Sequence, residues 1–181
     1  MMLEFPEDIP CADLDRQYML GESLLVAPVF TKEGDVDYYL PAGRWTNILS
    51  NQVVEGGKWL HEVHDFMSLP LMARENSILP VGGNDSDVEY DYGKDLTLHV
   101  FELTGTASCD VVNMKGEHIL TATAKNQDGR VSMSFEGRAE GLKVLLHNVE
   151  AVENLSGAAA QKTEQGLLLT VDGLGDVSWS L

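Results

Sequence analysis

The sequence predicts an all-β chain of sandwich or barrel type, built as two successive units, on three observations. After Gly21 the β-prone runs are short, and none repeats apolar residues at helical spacing. Turn-forming groups separate them at regular intervals: Pro41-Ala42-Gly43, Gly56-Gly57 and Glu75-Asn76. A polar, glycine-rich stretch, Gly82-Gly83-Asn84-Asp85-Ser86-Asp87, then interrupts the series before strands resume, which marks an internal boundary.

The elements follow in order. From Glu7 to Met19 the pattern reads as a loop and then about two helical turns, with Asp13 as N-cap and Leu14, Tyr18 and Met19 as the packing side. Ser23–Val29 is a continuous apolar run without alternation, which suits a strand covered on both faces, as in a parallel sheet. No second run of that kind follows, so this strand lacks parallel partners within the chain. Val36–Leu40, Trp45–Leu49, Lys58–Glu62, Met67–Met72 and Ser77–Val81 are the strands of the first unit. In the second, Leu96, Leu98 and Val100 alternate with polar neighbours, as do Val131, Met133 and Phe135, so each set marks one buried face of a half-buried antiparallel strand. Leu142–Leu146, Gly166–Val171 and Val177–Leu181 complete the series, and Gly157–Ala160 reads as a loop.

Twelve Lys plus Arg against twenty-nine Asp plus Glu leave a formal charge of −17 on 181 residues. No basic cluster can track a phosphate backbone, which argues against nucleic acid and against an anionic membrane surface. No apolar run approaches the length of a membrane span. Cys11 and Cys109 lie one in each half and give no disulfide framework, which together with the absence of a leader favours a cytoplasmic protein.

FPED at Phe5–Asp8, DRQYMLGESLLVAPVF at Asp15–Phe30, YYLPAGRW at Tyr38–Trp45 and LPLMARENSILPVG at Leu69–Gly82 together resemble glycoside hydrolase family 31, most closely its bacterial α-xylosidases. The resemblance extends through the acidic linker, LTLHVFEL at Leu96–Leu103 and EQGLLLTV at Glu164–Val171. It implies a parent with a catalytic (β/α)8 barrel followed by proximal and distal C-terminal β-sandwiches. On that mapping residues 1–27 are the last strand-loop-helix-strand remnant of the barrel, with Leu3–Phe5 ending its seventh strand and Ser23–Ala27 forming its eighth. Residues 28–82 are the proximal sandwich and 83–181 the distal one. Most of the barrel would then lie upstream.

Retaining glycosidases need two carboxyl groups roughly 5 Å apart on one rigid scaffold. The family's nucleophile motif, an aspartate in Lys-Thr-Asp-Phe-Gly-Glu or Trp-x-Asp-Met-Asn-Glu, does not occur; Asp65-Phe66-Met67 matches it only superficially. The expectation is therefore no catalytic, cofactor-binding or metal-binding residue in this chain. His61-Glu62-Val63-His64-Asp65 collects metal-ligating side chains, but at strand rather than helical spacing. Asn84, Asp85, Asp87, Glu89 and Asp91 superficially resemble a calcium loop, with Gly93 misplaced for one. Glu7, Asp8 and Glu22 flank the presumed eighth strand as candidate carboxylates of the parent's active-site mouth, although Glu22 would face the opposite end. Cys11 reads as a buried thiol. Tyr38, Tyr39, Trp45 and Trp59 offer either core aromatics or a platform for sugar stacking.

The leading expectation is the C-terminal fragment of a retaining α-glycoside hydrolase acting on terminal α-linked xylose or glucose, itself structural and inactive when isolated. Its partners would be the missing N-terminal catalytic barrel of the same polypeptide, the carbohydrate substrate of the full-length enzyme and other copies in a homo-oligomer. The alternative is a stand-alone carbohydrate-binding β-sandwich module.

Overall fold

A computed structural model describes all 181 residues and divides them into two compact units, Met1–Glu75 and Asn76–Leu181. The fold is all-β, as expected, apart from one 3-10 turn at Ile9–Ala12.

The first unit opens with β1 (Tyr18–Leu20) and β2 (Leu24–Val26), followed by β3 (Asp35–Leu40), β4 (Arg44–Asn47), β5 (Val53–Glu55), β6 (Lys58–Val63) and β7 (Leu71–Arg74). Five of these form an antiparallel sheet in the order β1-β2-β7-β4-β5, while β3 and β6 form a separate antiparallel ribbon. Leu25, Ala27, Val36, Tyr38, Leu40, Trp45 and Met72 make one core from both pieces. Burial of such side chains is the main stabilising term for a unit of this size.

Three expectations change here. The segment read as a helix contributes β1, because Gln17, Tyr18 and Leu20 are placed by pairing to β2 and β3 rather than by helical spacing. The apolar run forms β2, and all three of its residues are buried. It pairs antiparallel with β1 on one side and β7 on the other, so it is an inner strand of this sheet and not a parallel barrel strand without partners. A continuous apolar run reports coverage on both faces but carries no information about direction. The strand expected from Met67 begins only at Leu71. Asp65 accepts hydrogen bonds from the Met67 N–H and the Ser68 hydroxyl, each at 2.9 Å, closing a local turn that competes with the ladder.

The second unit contains two five-stranded sheets. One has the order β10 (Thr106–Val112), β11 (His118–Gln127), β12 (Arg130–Gly137), β17 (Val177–Ser180) and β14 (Glu153–Ser156). The other runs β15 (Ala158–Lys162), β16 (Gly166–Val171), β13 (Lys143–His147), β9 (Thr97–Phe101) and β8 (Ser77–Val81). The alternating residues behave as read: Leu96, Leu98, Val100, Val131, Met133 and Phe135 all enter one core. β9 pairs antiparallel with β8 but parallel with β13. Gly157–Ala160, read as a loop, instead leads into β15 (Ala158–Lys162), an edge strand in register with β16.

The division between units falls at Glu75–Asn76, before the linker-like stretch. Ser77–Val81, assigned from sequence to the first unit, pairs with Thr97–Phe101 of the second. The Glu75 carboxylate accepts the Arg44 N–H in its own unit, whereas the Asn76 side-chain oxygen accepts the N–H groups of Thr104 and Gly105 in its own.

Candidate functional site

Strand pleating places the conspicuous side chains of the first unit. On the β3–β6 ribbon the register sets Asp35 opposite Val63, Asp37 opposite His61 and Tyr39 opposite Trp59. These residues share one face, and Val36, Tyr38, Leu40, Leu60 and Glu62 share the other. The four aromatics therefore do not form one platform. Tyr38, Tyr39 and Trp45 are buried, whereas Trp59 is 57% exposed. The Trp45 indole donates to the Pro41 carbonyl at 2.8 Å, and Gly56 packs so closely there that a β-carbon would run into that carbonyl.

Tyr39 is held from three directions. Its backbone N–H donates to the Gln17 side-chain oxygen, and its carbonyl accepts from the Gln17 amide, each at 2.7 Å. Gln17, itself buried, thus acts as a one-residue extension of the ladder at the ribbon edge. The Tyr39 hydroxyl donates to the Asp8 carboxylate, 3.1 Å from both oxygens. Burial, then the bond to Asp8, raises the pKa of this phenol. Asp8 is thereby committed to a structural bond, and Glu7 and Glu22 are exposed. Nothing in the sequence around Gln17 marks it, because its partner is a backbone group twenty-two positions away.

The His61–Asp65 stretch is split by the same pleat. His61 lies between Asp37 at 2.9 Å and Asp35 at 3.6 Å on the exposed face. Glu62 accepts the Tyr38 hydroxyl on one oxygen and contacts His64 Nε2 on the other, both at 2.7 Å, and His64 Nδ1 lies 3.0 Å from the Ser68 hydroxyl. Burial, with the Glu62 bond second, raises the pKa of Tyr38. Glu62, His64 and Ser68 border an open cleft of about 370 Å³. The Ser68 hydroxyl also lies 2.9 Å from Asp65, so the serine is shared between a base and a turn.

The acidic stretch of the second unit does not converge on a point either. Asn84 accepts the N–H groups of Ser86 and Asp87, while Asp91 pairs with Arg138 at 2.7 Å. Cys11 is buried in the 3-10 turn, and burial pushes its thiol pKa up; Cys109 is pushed up to about 11 for the same reason. Neither is an activated nucleophile.

Two features of the second unit escaped sequence reasoning. Trp179 is buried with its indole N–H unpartnered, and it borders a mainly apolar cavity of about 180 Å³ with Val100, Val131 and Leu146. His99 Nδ1 lies 2.9 Å from His147 Nε2, and the His147 ring stacks on Phe101 at 4.3 Å. One proton fits between the two rings. Burial, then His99, lowers the His147 pKa from 6.5 to about 4, and burial lowers that of His99.

A histidine depressed in the folded state keeps its full stabilising effect above the unfolded value and loses it as pH falls. From pH 6.5 to about 4 the unfolded chain takes up a proton that folded His147 does not. Acidification across that window is expected to cost on the order of 3 kcal/mol at this site. Urea midpoints measured at several pH values should show a shallower acid slope in His147→Gln than in the parent; parallel slopes would contradict this.

No helix is long and apolar enough to cross a membrane. Residues 1–79 match the model of the glycosyl hydrolase family 31 C-terminal domain, and residues 91–181 match that of the α-xylosidase YicI C-terminal domain. The chain is 35% identical over 151 residues to α-xylosidase XylQ of Lactiplantibacillus pentosus, a match covering 81% of this chain and 20% of that protein. Among solved structures, the family 31 α-xylosidase Xac1773 from Xanthomonas citri is 26% identical with a TM-score of 0.68, covering 98% of this chain and 21% of that one. Protein lmo2446 from Listeria monocytogenes EGD-e, crystallised with glucose, magnesium and calcium, shares the fold with a TM-score of 0.81 at 22% identity, over 99% of this chain and 20% of that one. The chain thus spans about a fifth of the length of these proteins.

Proposed function

The chain belongs to glycoside hydrolase family 31, and from that premise we propose that it is the C-terminal part of a longer retaining α-glycosidase acting on terminal α-linked xylose or glucose. The observation that carries the reading is the tandem order of two C-terminal family domains within a chain spanning about a fifth of its relatives. The first unit is the proximal sandwich and the second the distal one. Their role is structural: they support the catalytic barrel of the same polypeptide and help copies associate.

Xylosides are favoured over glucosides as the parent's substrates by the second domain's α-xylosidase match and by the similarity to XylQ. The chemistry itself belongs upstream. A retaining mechanism needs a nucleophilic carboxylate and a proton-donating partner facing one anomeric carbon. Here Asp8 is occupied by Tyr39, Glu62 by Tyr38 and His64, and Asp91 by Arg138.

Two measurements test this. An antibody against the chain, used on a denaturing gel of source cells, should detect a species several-fold larger than 19.8 kDa; a native band at that mass would overturn the reading. The isolated chain should not hydrolyse aryl α-xylosides above the buffer rate. Turnover that disappears when one of its own carboxylates is replaced would place catalysis here instead.

A further inference from the structure

We infer that the exposed face of the β3–β6 ribbon is a binding surface for a neutral glycan. The inference rests on the carbohydrate-active parent proposed above for its choice of ligand, and on the ribbon's geometry for its location.

Trp59 is the centre of this surface. Trp59 is 57% exposed and keeps a large apolar ring in water, so a ligand that covers the ring gains the free energy of its burial. Its position is fixed in advance: the ring lies 5.7 Å from that of buried Tyr39, which Gln17 and Asp8 hold in turn. A preorganised aromatic of this kind offers a flat apolar plate at little entropic cost. Phe30, 69% exposed, borders the same cleft of about 250 Å³, a space suited to a single sugar residue.

The rest of the cleft is polar, which separates this face from an apolar docking surface. Asp35 and Asp37 supply carboxylate acceptors, and Arg16 supplies a guanidinium donor. His61 lies between the two carboxylates. The Thr31 hydroxyl donates to the Asp35 carbonyl at 2.8 Å and fixes the turn that carries them. A pyranose presents an apolar face of C–H groups and an edge of hydroxyls that both donate and accept. Stacking on Trp59 would aim that edge at Asp37 and Arg16. Two carboxylates against one guanidinium disfavour an anionic sugar, so the ligand is a neutral one.

The experiment uses the whole chain, labelled with nitrogen-15, titrated with isomaltotriose and with methyl α-xyloside. The indole N–H signal of Trp59 should shift saturably with at least one of them while those of Trp45 and Trp179 stay in place. Glucuronate at equal concentration should shift it less. Trp59→Ala should leave the chain folded by circular dichroism and weaken binding at least tenfold; Phe30→Ala should weaken it less. A flat titration with both sugars, a shift confined to Trp179, or unchanged binding by Trp59→Ala would each overturn the proposal. None of these results bears on the polypeptide's native mass, so the family-level reading stands or falls separately.

Discussion

Trp45→Ala is expected to remove most of the stability of the first unit. Trp45 is 1% exposed and belongs to a core of only seven buried residues, with Leu25, Tyr38, Leu40 and Met72 among the others in that cluster. Truncating a buried tryptophan costs about 3–5 kcal/mol through lost transfer energy and the cavity left behind. Whole domains are held by only about 5–15 kcal/mol. The change also orphans the Pro41 carbonyl, which accepts the indole N–H. Trp45→Phe separates the two contributions: it keeps much of the volume but still loses the hydrogen bond, so it should cost about 1–3 kcal/mol. Urea unfolding of both variants, monitored by near-ultraviolet circular dichroism, measures this. A midpoint for Trp45→Ala near that of the parent would mean the core of the first unit is not built around this ring.

Gln17→Leu should come next in size. The substitution keeps the volume and apolar stem but leaves the Tyr39 N–H and carbonyl without their partner at a buried ribbon edge. Each unsatisfied buried group costs about 1–3 kcal/mol, so a loss of roughly 2–5 kcal/mol is expected. Gln17→Glu should also destabilise, because it retains an acceptor for the N–H but presents a carboxylate to the Tyr39 carbonyl. An Asp8→Asn variant is the comparison, since it touches the Tyr39 hydroxyl and leaves the backbone clamp in place. If Gln17→Leu unfolds at the same urea concentration as the parent, the clamp is geometrically present but energetically idle.

The extent to which the fold was legible follows from which interactions are local. β3, β6, β8, β12 and β16 are readable because their residues alternate or favour strands and their turns carry Gly, Asn or Pro in the neighbouring positions. β1 and β15 are not, because Tyr18–Leu20 is too short a run to show alternation and the alanines of Ala158–Ala160 have no strong strand preference. They are strands only because β2 and β16 offer them unpaired backbone groups. Burial was more legible than pairing: Leu24–Val26 was correctly read as covered, while its partners and their direction were not.

Among the site residues, the sequence could nominate aromatics and carboxylates but not sort them. Tyr38, Tyr39, Trp45 and Trp59 look alike in a list. The pleat sends Tyr38 inward, the Gln17 clamp and Asp8 bury Tyr39, the Pro41 carbonyl holds Trp45, and only Trp59 is left at the surface. Likewise His61 and His64 are three positions apart, yet one meets Asp35 and Asp37 while the other meets Glu62 and Ser68.

By itself, then, the sequence determined the all-β class, the acidic charge and the family, since these depend on composition, local strand and turn chemistry, and motifs contiguous along the chain. The tertiary structure decided that the units part at Glu75–Asn76, that β2 is an inner antiparallel strand, that Gln17 closes a ribbon edge and that Trp59 alone of four aromatics faces solvent. Each of those outcomes depends on which backbone groups and surfaces meet across long stretches of chain, and no local pattern encodes that choice.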